Sequence, residues 1–420
     1  MKLREHNGKI FIHNFSFEEI AEKYGAPFYL YDLDVIKGKI DNIRHEFGGN
    51  IELFYAVKAN SNMEILKAIR NDVDGLDISS MGEMEQSLLA GYDPGKLSFA
   101  GPGKTRRELK EAVCRNIGII SVESIRELQD IRSIASTGGI KPNIVLRLNP
   151  KMLIKEFAIK MGGKATQFGI DEEDVAPAID YIRQNENLFN FLGIHIYAGT
   201  QCMSEESLVN NMINILRIAG NLRDRYGIEC RLINLGGGLG VSYYEENKEI
   251  DLSLLAGGII HALNQYRTST GANPRFILEL GRYLIADAGI YVARVVSEKK
   301  SRGDTYFVLD GGMNHHLAAS GNLGSVIRKN YLVKNLSNPD APKQTCNLVG
   351  PLCTPLDLMG KNVSVESPRL GDLIGILNSG SYAFTASPML FLGHETPVEL
   401  LVVDDEISVI RGRKRLRDFN

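Results

Sequence analysis

Eight short runs of β-branched and aliphatic residues recur between residues 51 and 280, separated by longer stretches with helical apolar spacing. This alternation restricts the fold more than any other feature of the chain. The runs are IELFYAV (51–57), GLDIS (75–79), LSFA (97–100), GIISV (118–122), NIVLRL (143–148), FLGIHIYA (191–198), RLINL (231–235) and RFILEL (275–280). Intervening segments such as SMGEMEQSLLAG and TRRELKEAVCRN space their apolar residues three and four apart. Such an order calls for parallel strands joined by helical crossovers. Eight units in one run favour closure into a (β/α)8 TIM barrel over a doubly wound open sheet. The barrel is expected over residues 27–285.

Beyond residue 285 the texture changes. GIYVARVVSEKK, DTYFVLDGG, QTCNLVG, DLIGILNSG and VELLVVDDEISVIRG read as strands between turns rich in Gly and Pro, with little helix. An antiparallel β domain is expected over 286–420, with residues 1–26 joining it through a strand at KIFIH. A net charge of -3 offers no electrostatic case for nucleic acid or an anionic membrane. No stretch approaches the ~20 apolar residues of a membrane-spanning helix, and the N-terminus lacks a signal-peptide apolar region. The five cysteines are scattered, with neither a disulfide framework nor the close pairs of a zinc site. A cytoplasmic location is expected.

Chemistry in a parallel barrel gathers at the C-terminal ends of its strands. Those ends carry Lys58; Asp77, Ser79, Ser80 and Glu83; GPGK (101–104); Glu123 and Ser124; Arg147 and Asn149; His195 and Tyr197; GGGLG (236–240); and ELGR (279–282). Lys58 has two readings: a solvated strand terminus, or an amine desolvated in a pocket and nucleophilic toward a carbonyl. The glycines at 236–238 make a plain turn or a backbone cradle for phosphate, and a phosphate site commonly forms at this place in a barrel. Arg282 could add charge-assisted contacts to it. Glu279 is either a structural acid or, beside an amine and a phosphate cradle, the partner of a pyridine nitrogen. Together these residues suggest pyridoxal phosphate. His315 and His316 raise the question of a metal, but neighbours on a strand face opposite ways and no further ligands gather. No metal is expected.

Lys58 in FYAVKAN, GGGLG and ELGR, in that order on a barrel, resembles the fold-type III pyridoxal-phosphate decarboxylases. These are alanine-racemase-like barrels that include diaminopimelate and ornithine decarboxylases. The resemblance runs from PFYLYD (27–32) to TPVELLVV (396–403). It implies pyridoxal 5'-phosphate with Lys58 as the Schiff-base lysine, phosphate ligands in Gly236, Gly237, Gly238, Thr200 and Tyr382, and Glu279 at the ring nitrogen, with Gly281 and Arg282 in the same motif. Asp77, Glu83 and Arg147 match supporting positions beside the cofactor. Cys353 in GPLCTPLD matches the residue that protonates the carbanion, lent by a partner subunit in a homodimer whose β domain completes each active site.

Departures from the family pattern bear on substrate. Tyr197 stands where diaminopimelate decarboxylases stack a His on the ring, with His195 two residues earlier. Thr354 replaces the acid that usually follows the cysteine, so a distal ammonium would go unpaired. The MN of DGGMNHH is followed by no Arg-Pro; Arg328 is a candidate carboxylate grip or a surface Arg. GPGK, HIYAGTQ, DGGMNHH, GPLCTP and FLGH resemble most a biosynthetic branch that includes the butirosin-pathway type, which acts on a glutamyl unit tethered to an acyl-carrier protein. Decarboxylation of such a tethered aminoacyl unit is the expected reaction. A free-amino-acid decarboxylase of the diaminopimelate, ornithine or lysine type stays open. A racemase is disfavoured by Glu279, and an inactive regulatory homologue by the presence of Lys58 and Cys353.

Overall fold

A computed structural model describes residues 1–6, 8–152, 154–244, 248–321 and 329–420. It divides into two compact units, one of residues 39–241 and 248–281, the other of residues 1–38, 242–247 and 282–420.

The first unit is a closed parallel barrel. Strands β1 (Glu52–Ala56), β2 (Gly75–Ile78), β3 (Leu97–Phe99), β4 (Ile119–Val122), β5 (Asn143–Asn149), β6 (Asn190–His195), β7 (Leu232–Asn234) and β8 (Arg275–Leu280) pair in chain order, and β8 returns to β1. Each falls within, or within a residue of, one of the eight apolar runs. Inside, Phe54, Ile119, Val145, Leu232 and Ile277 from five of the strands form a buried cluster with Leu192 packed against it. Alternate side chains of a strand point inward, so these residues fill the barrel rather than leave a channel. After β2, β3 and β4 the chain enters helices capped by Ser80, Thr105 and Ser124. Each cap oxygen accepts a backbone N–H of the first helical turn, which fixes the turns on the rim where the site lies.

The second unit is mostly sheet. Its main path runs Leu358–Glu366, Lys343–Val349, Asp304–Leu309, Gly289–Ser301, Phe28–Asp32, Val398–Val403, Glu406–Arg411. Three expectations are corrected here. Residues 27–38 do not begin the barrel: Phe28–Asp32 lies between Gly289–Ser301 and Val398–Val403 in this sheet. All five of its residues are buried, and a strand covered on both faces looks the same in sequence whichever sheet it joins. The sheet is also mixed, since Phe28–Asp32 runs parallel to Val398–Val403 and Asp304–Leu309 runs parallel to Lys343–Val349. Lys9–Ile12 forms a separate three-stranded sheet with Arg4–His6 and Phe15–Ser16 rather than extending the main one. Its Ile10 and Ile12 reach the core of this unit, beside Phe28, Leu30, Ile290, Val292 and Leu400.

Candidate active site

At the end of β1 the chain makes a single 3-10 turn, Val57–Ala59, which presents Lys58 at the rim of the barrel. Lys58 Nζ lies 2.6 Å from Asp77 Oδ2 at the end of β2. Asp77 is fully buried, and its other oxygen has no hydrogen-bond partner among the described residues. Burial pushes the Asp77 carboxyl up and the nearby Glu279 charge adds to this, while Lys58 opposes both. The ring centroid of Tyr197 is 5.9 Å from the same ammonium.

Glu279, near the end of β8, is buried in a contrasting setting. Its Oε1 accepts a hydrogen bond from Asn234 Nδ2 at 2.6 Å. Its Oε2 is 3.3 Å from His195 Nε2, close enough for ion pairing but not aligned for a hydrogen bond. Burial alone would raise this carboxyl. His195, Lys58 and Asn234 outweigh burial and hold it down, to about 2. The far nitrogen of His195, Nδ1, meets Ser121 Oγ at 2.9 Å.

Asn234 also ties this acid to the glycine turn, because its Oδ1 accepts the Gly236 N–H at 2.9 Å. The turn is built for close approach. A Cβ on Gly237 would stand 1.9 Å from the Glu279 carbonyl oxygen, and Gly236 and Gly238 have φ of +63 and +104. Such angles are open to glycine at no steric cost. The amides of Gly237 and Gly238 make no hydrogen bond among the described residues. Thr200 lies in the short strand Gly199–Thr200, paired with Ile159–Lys160. At Gly281 a Cβ would come within 3.0 Å of Ala56 O, so this glycine lets the chain leaving β8 pass against the turn that carries Lys58.

Lys58, Asp77, Arg147, His195, Tyr197 and Glu279 line one cavity of about 250 Å³, closed on another side by Ala100, Gly101, Pro102, Met161 and Phe168. Glu83 does not line it. Its carboxylate accepts the Ser79 N–H at 2.6 Å and its own N–H bonds the Ser80 cap, so it shapes the turn after β2. Burial pushes that carboxyl up. Arg147 donates to Glu123 at 2.7 Å and lies 4.9 Å from the Phe168 ring centroid.

The remaining sequence candidates belong to the second unit. Half-buried Arg282 donates to Tyr243 Oη at 3.0 Å, with the Tyr382 ring centroid 4.5 Å from its guanidinium carbon. Tyr382 has φ of +51. Cys353 is exposed in the loop between Lys343–Val349 and Leu358–Glu366, and Thr354 follows it. Asp357 secures that loop. Its two oxygens accept the N–H groups of Met313 and Leu352 at 2.7 and 2.8 Å, joining GPLCTPLD to DGGMN. Glycines 312 and 350 pack so tightly on Asp357 that any Cβ there would lie within 2.5 Å of its carboxylate. His315 and His316 are core residues bonded to Tyr291 and Glu395, and to Ser379 and Ala319. Burial pushes them down to about 4 and about 3. Arg328 lies outside the described residues.

Sequence reasoning missed Asn234 and Asp357. Asn234 was hidden as the polar member of a strand motif, although an Asn two residues before three glycines was a usable signal. Asp357 ends GPLCTPLD, and the paired glycines at 311–312 were the matching sign of close packing.

A low-lying acid and an amine across one cavity, at the C-terminal rim of a parallel barrel, describe a barrel enzyme with a place for a carbonyl cofactor. Pyridoxal phosphate fits the residues present: a lysine amine and an ionised acid on the cavity and, tied to that acid through Asn234, a glycine turn whose close packing a Cβ would obstruct. Residues 33–286 match the pyridoxal-binding domain of the pyridoxal-dependent decarboxylases, and the chain belongs to that family. It is a pyridoxal-phosphate-dependent amino-acid decarboxylase. It is 36% identical over 404 residues to the L-glutamyl-[BtrI acyl-carrier protein] decarboxylase of Niallia circulans, covering 95% of this chain and 94% of that one. It is 32% identical over 409 residues to diaminopimelate decarboxylase of Helicobacter pylori strain J99, covering 96% and 97%. The crystal structure of the Helicobacter pylori enzyme with L-lysine superposes with a TM-score of 0.85 at 32% identity, covering 96% of this chain and 98% of that one. Diaminopimelate decarboxylase of M. jannaschii with L-lysine gives 0.91 at 27%, covering 99% and 96%. Members of the family are typically homodimers. Among the described residues no helix is long and apolar enough to cross a membrane.

Proposed function

We propose that the chain removes the α-carboxylate of an aminoacyl unit carried as a thioester on a carrier protein, in a biosynthetic pathway of the cytoplasm. The observation that carries this reading is the full-length 36% likeness to a glutamyl-carrier decarboxylase. Thr354 after Cys353 supports it, because a neutral hydroxyl leaves no counter-charge for the distal ammonium of a dibasic amino acid.

Bound pyridoxal phosphate supplies an electron sink for the pair left when the carboxylate departs. Lys58 is the residue to hold its aldehyde, Gly236–Gly238 with Thr200 its phosphate, and Glu279 its ring nitrogen. Arg282 and Tyr382 are further phosphate candidates. Held low by His195 and Asn234, Glu279 stays ionised and can keep a proton on that nitrogen. Asp77 holds the Lys58 ammonium and, with its raised carboxyl, is suited to exchange a proton with it. Tyr197 offers a ring face in the cavity. His195, a substrate candidate in the sequence, is 1% exposed and contacts Glu279 and Ser121, which favours service to the acid. Cys353 is the proposed proton donor to the α-carbon, brought by the second unit of a partner subunit in a homodimer.

The test is product mass after incubating the cofactor-loaded protein with free amino acids and with the same units thioesterified to a carrier protein. Loss of CO2 confined to tethered units is the expected result. Loss from free diaminopimelate, ornithine or lysine would refute the carrier reading and favour the second one, supported by near full-length likeness to diaminopimelate decarboxylases.

A further inference from the structure

Glu123 has no part in the roles above, yet it stands just past β4 at the same rim, 6% exposed. Three donors from separate parts of the chain converge on its carboxylate. Oε1 accepts the Gly101 N–H at 2.7 Å and Arg147 Nη1 at 2.7 Å, and Oε2 accepts the Gly169 N–H at 3.1 Å. Each belongs to or adjoins the cavity wall: Gly101 with Pro102 after β3, Arg147 on β5, and Gly169 directly after Phe168.

The carboxylate is itself held. The Glu123 N–H donates to Glu127 Oε2 at 2.8 Å. Lys104 Nζ lies 3.1 Å from Glu127 and 4.0 Å from Glu123, and donates to Gly101 O at 2.6 Å. Four charged groups are thus buried together where apolar side chains of similar volume would often be at least as stable. Stability alone does not account for them. Their common product is the placement of the wall made by residues 101–102, 147 and 168.

We propose that Glu123 is a positioning residue for the amino-acid substrate: it pins three segments of the cavity wall so that Pro102, Arg147 and Phe168 meet the substrate in one arrangement. The proposal rests on reading this cavity as the cofactor and substrate site. Glu123→Gln keeps the shape but turns one acceptor oxygen into an NH2 group, which must then face a donor. Loss of one charge-assisted bond corresponds to roughly 10-fold or more in an opening or binding equilibrium.

The experiment pairs hydrogen exchange of the cofactor-free protein with steady-state kinetics of the loaded enzyme. In Glu123→Gln, exchange over peptides holding Gly101 and Gly169 should speed up about 10-fold, with β1 and β8 unchanged. KM should rise by about the same factor, while kcat and cofactor affinity move little. Lys104→Gln is the control, because it loosens the charge network but leaves the three donors on Glu123. It should lower thermal stability while KM and exchange at Gly169 stay put. Unchanged exchange at both glycines, or equal KM shifts in both variants, would overturn the proposal. Should Glu123→Gln fail to fold, Glu123→Asp takes its place, read the same way. If wild type turns over no amino substrate, the site reading fails by itself, and the exchange result still decides whether Glu123 pins the wall.

Discussion

Replacing Asn234 with Ala tests the link between the acid and the glycine turn. The side chain is fully buried and serves both ends: Nδ2 donates to Glu279 Oε1 at 2.6 Å, and Oδ1 accepts the Gly236 N–H at 2.9 Å. Removing it forfeits a hydrogen bond to a charged group, about 1.5–3 kcal/mol, and strands a buried N–H, about 1–3 kcal/mol. Since the two losses share one site, their sum is taken as roughly 3–5 kcal/mol. At about 2–4 °C per kcal/mol for a unit of this size, the cofactor-free variant should unfold roughly 10 °C below wild type. One of the groups holding Glu279 low would also be gone, so its carboxyl should rise. A depressed carboxyl stabilises the fold above its unfolded value of 4.5 and loses that contribution as pH falls toward about 2. The variant should therefore show a smaller loss of stability over that acid range. Thermal scans of the cofactor-free proteins from pH 7 down through that acid range, to about pH 2, and absorbance titrations with pyridoxal phosphate give both readings. Unfolding within about 2 °C of wild type, with cofactor affinity unchanged, would show that the two hydrogen bonds do not couple the acid to the turn.

Two further predictions separate close packing from titration. Gly237→Ala drives a Cβ to 1.9 Å from backbone oxygen, which no rotamer change relieves. It should cost more than the typical ~1–3 kcal/mol of overpacking, and cofactor binding should fail, whereas Gly103→Ala has open space and should behave as wild type in solubility and titration. His316 is held neutral by burial, from 6.5 down to about 3. The folded state then binds fewer protons than the unfolded one between those values, so its contribution is whole above pH 6.5 and declines by about 1.4 kcal/mol per unit below it. Urea midpoints at pH 7.5 and 5.5 should converge more in His316→Asn than in wild type. Parallel behaviour of the two proteins would count against a neutral core histidine.

The eight barrel strands were legible because each is an apolar run that ends in polar or glycine residues, and the period of the pattern changes at every turn. Phe28–Asp32 was not, since full burial on both faces erases the alternation that would have shown its sheet. Lys58, Asp77 and Glu279 could be picked out by their places at strand ends, and the structure gathers them on one cavity. Asn234 was not picked out, and the strand-end position of Glu123 did not show its role. Their roles depend on which backbone amides arrive beside them, and those come from register: Asn234 sits beside Ile277 of β8, two residues before Glu279. Arg147 illustrates the same limit, because only the fold shows that its guanidinium is committed to Glu123 and Phe168.

The pair of carboxylates on this cavity carries the argument further than their positions do. Asp77 and Glu279 are both buried, both lie near the ends of barrel strands and both feel Lys58, so these shared features alone do not give them different tasks. Their neighbours do. Glu279 has Asn234 on one oxygen and His195 beside the other, and burial is overcome. Asp77 has Lys58 on one oxygen, no hydrogen-bond partner among the described residues on the other, and the Glu279 charge against it, so burial prevails. Environments that push two acids apart assign one to remain ionised and the other to trade a proton. In the proposed reaction the first property suits the acid at the ring nitrogen, and the second suits the partner of a lysine that must gain and lose a proton in each cycle. Removing the His195 side chain should then let the Glu279 carboxyl rise toward that of Asp77, which a pH titration of the cofactor-free protein's stability reads as a smaller acid-range loss.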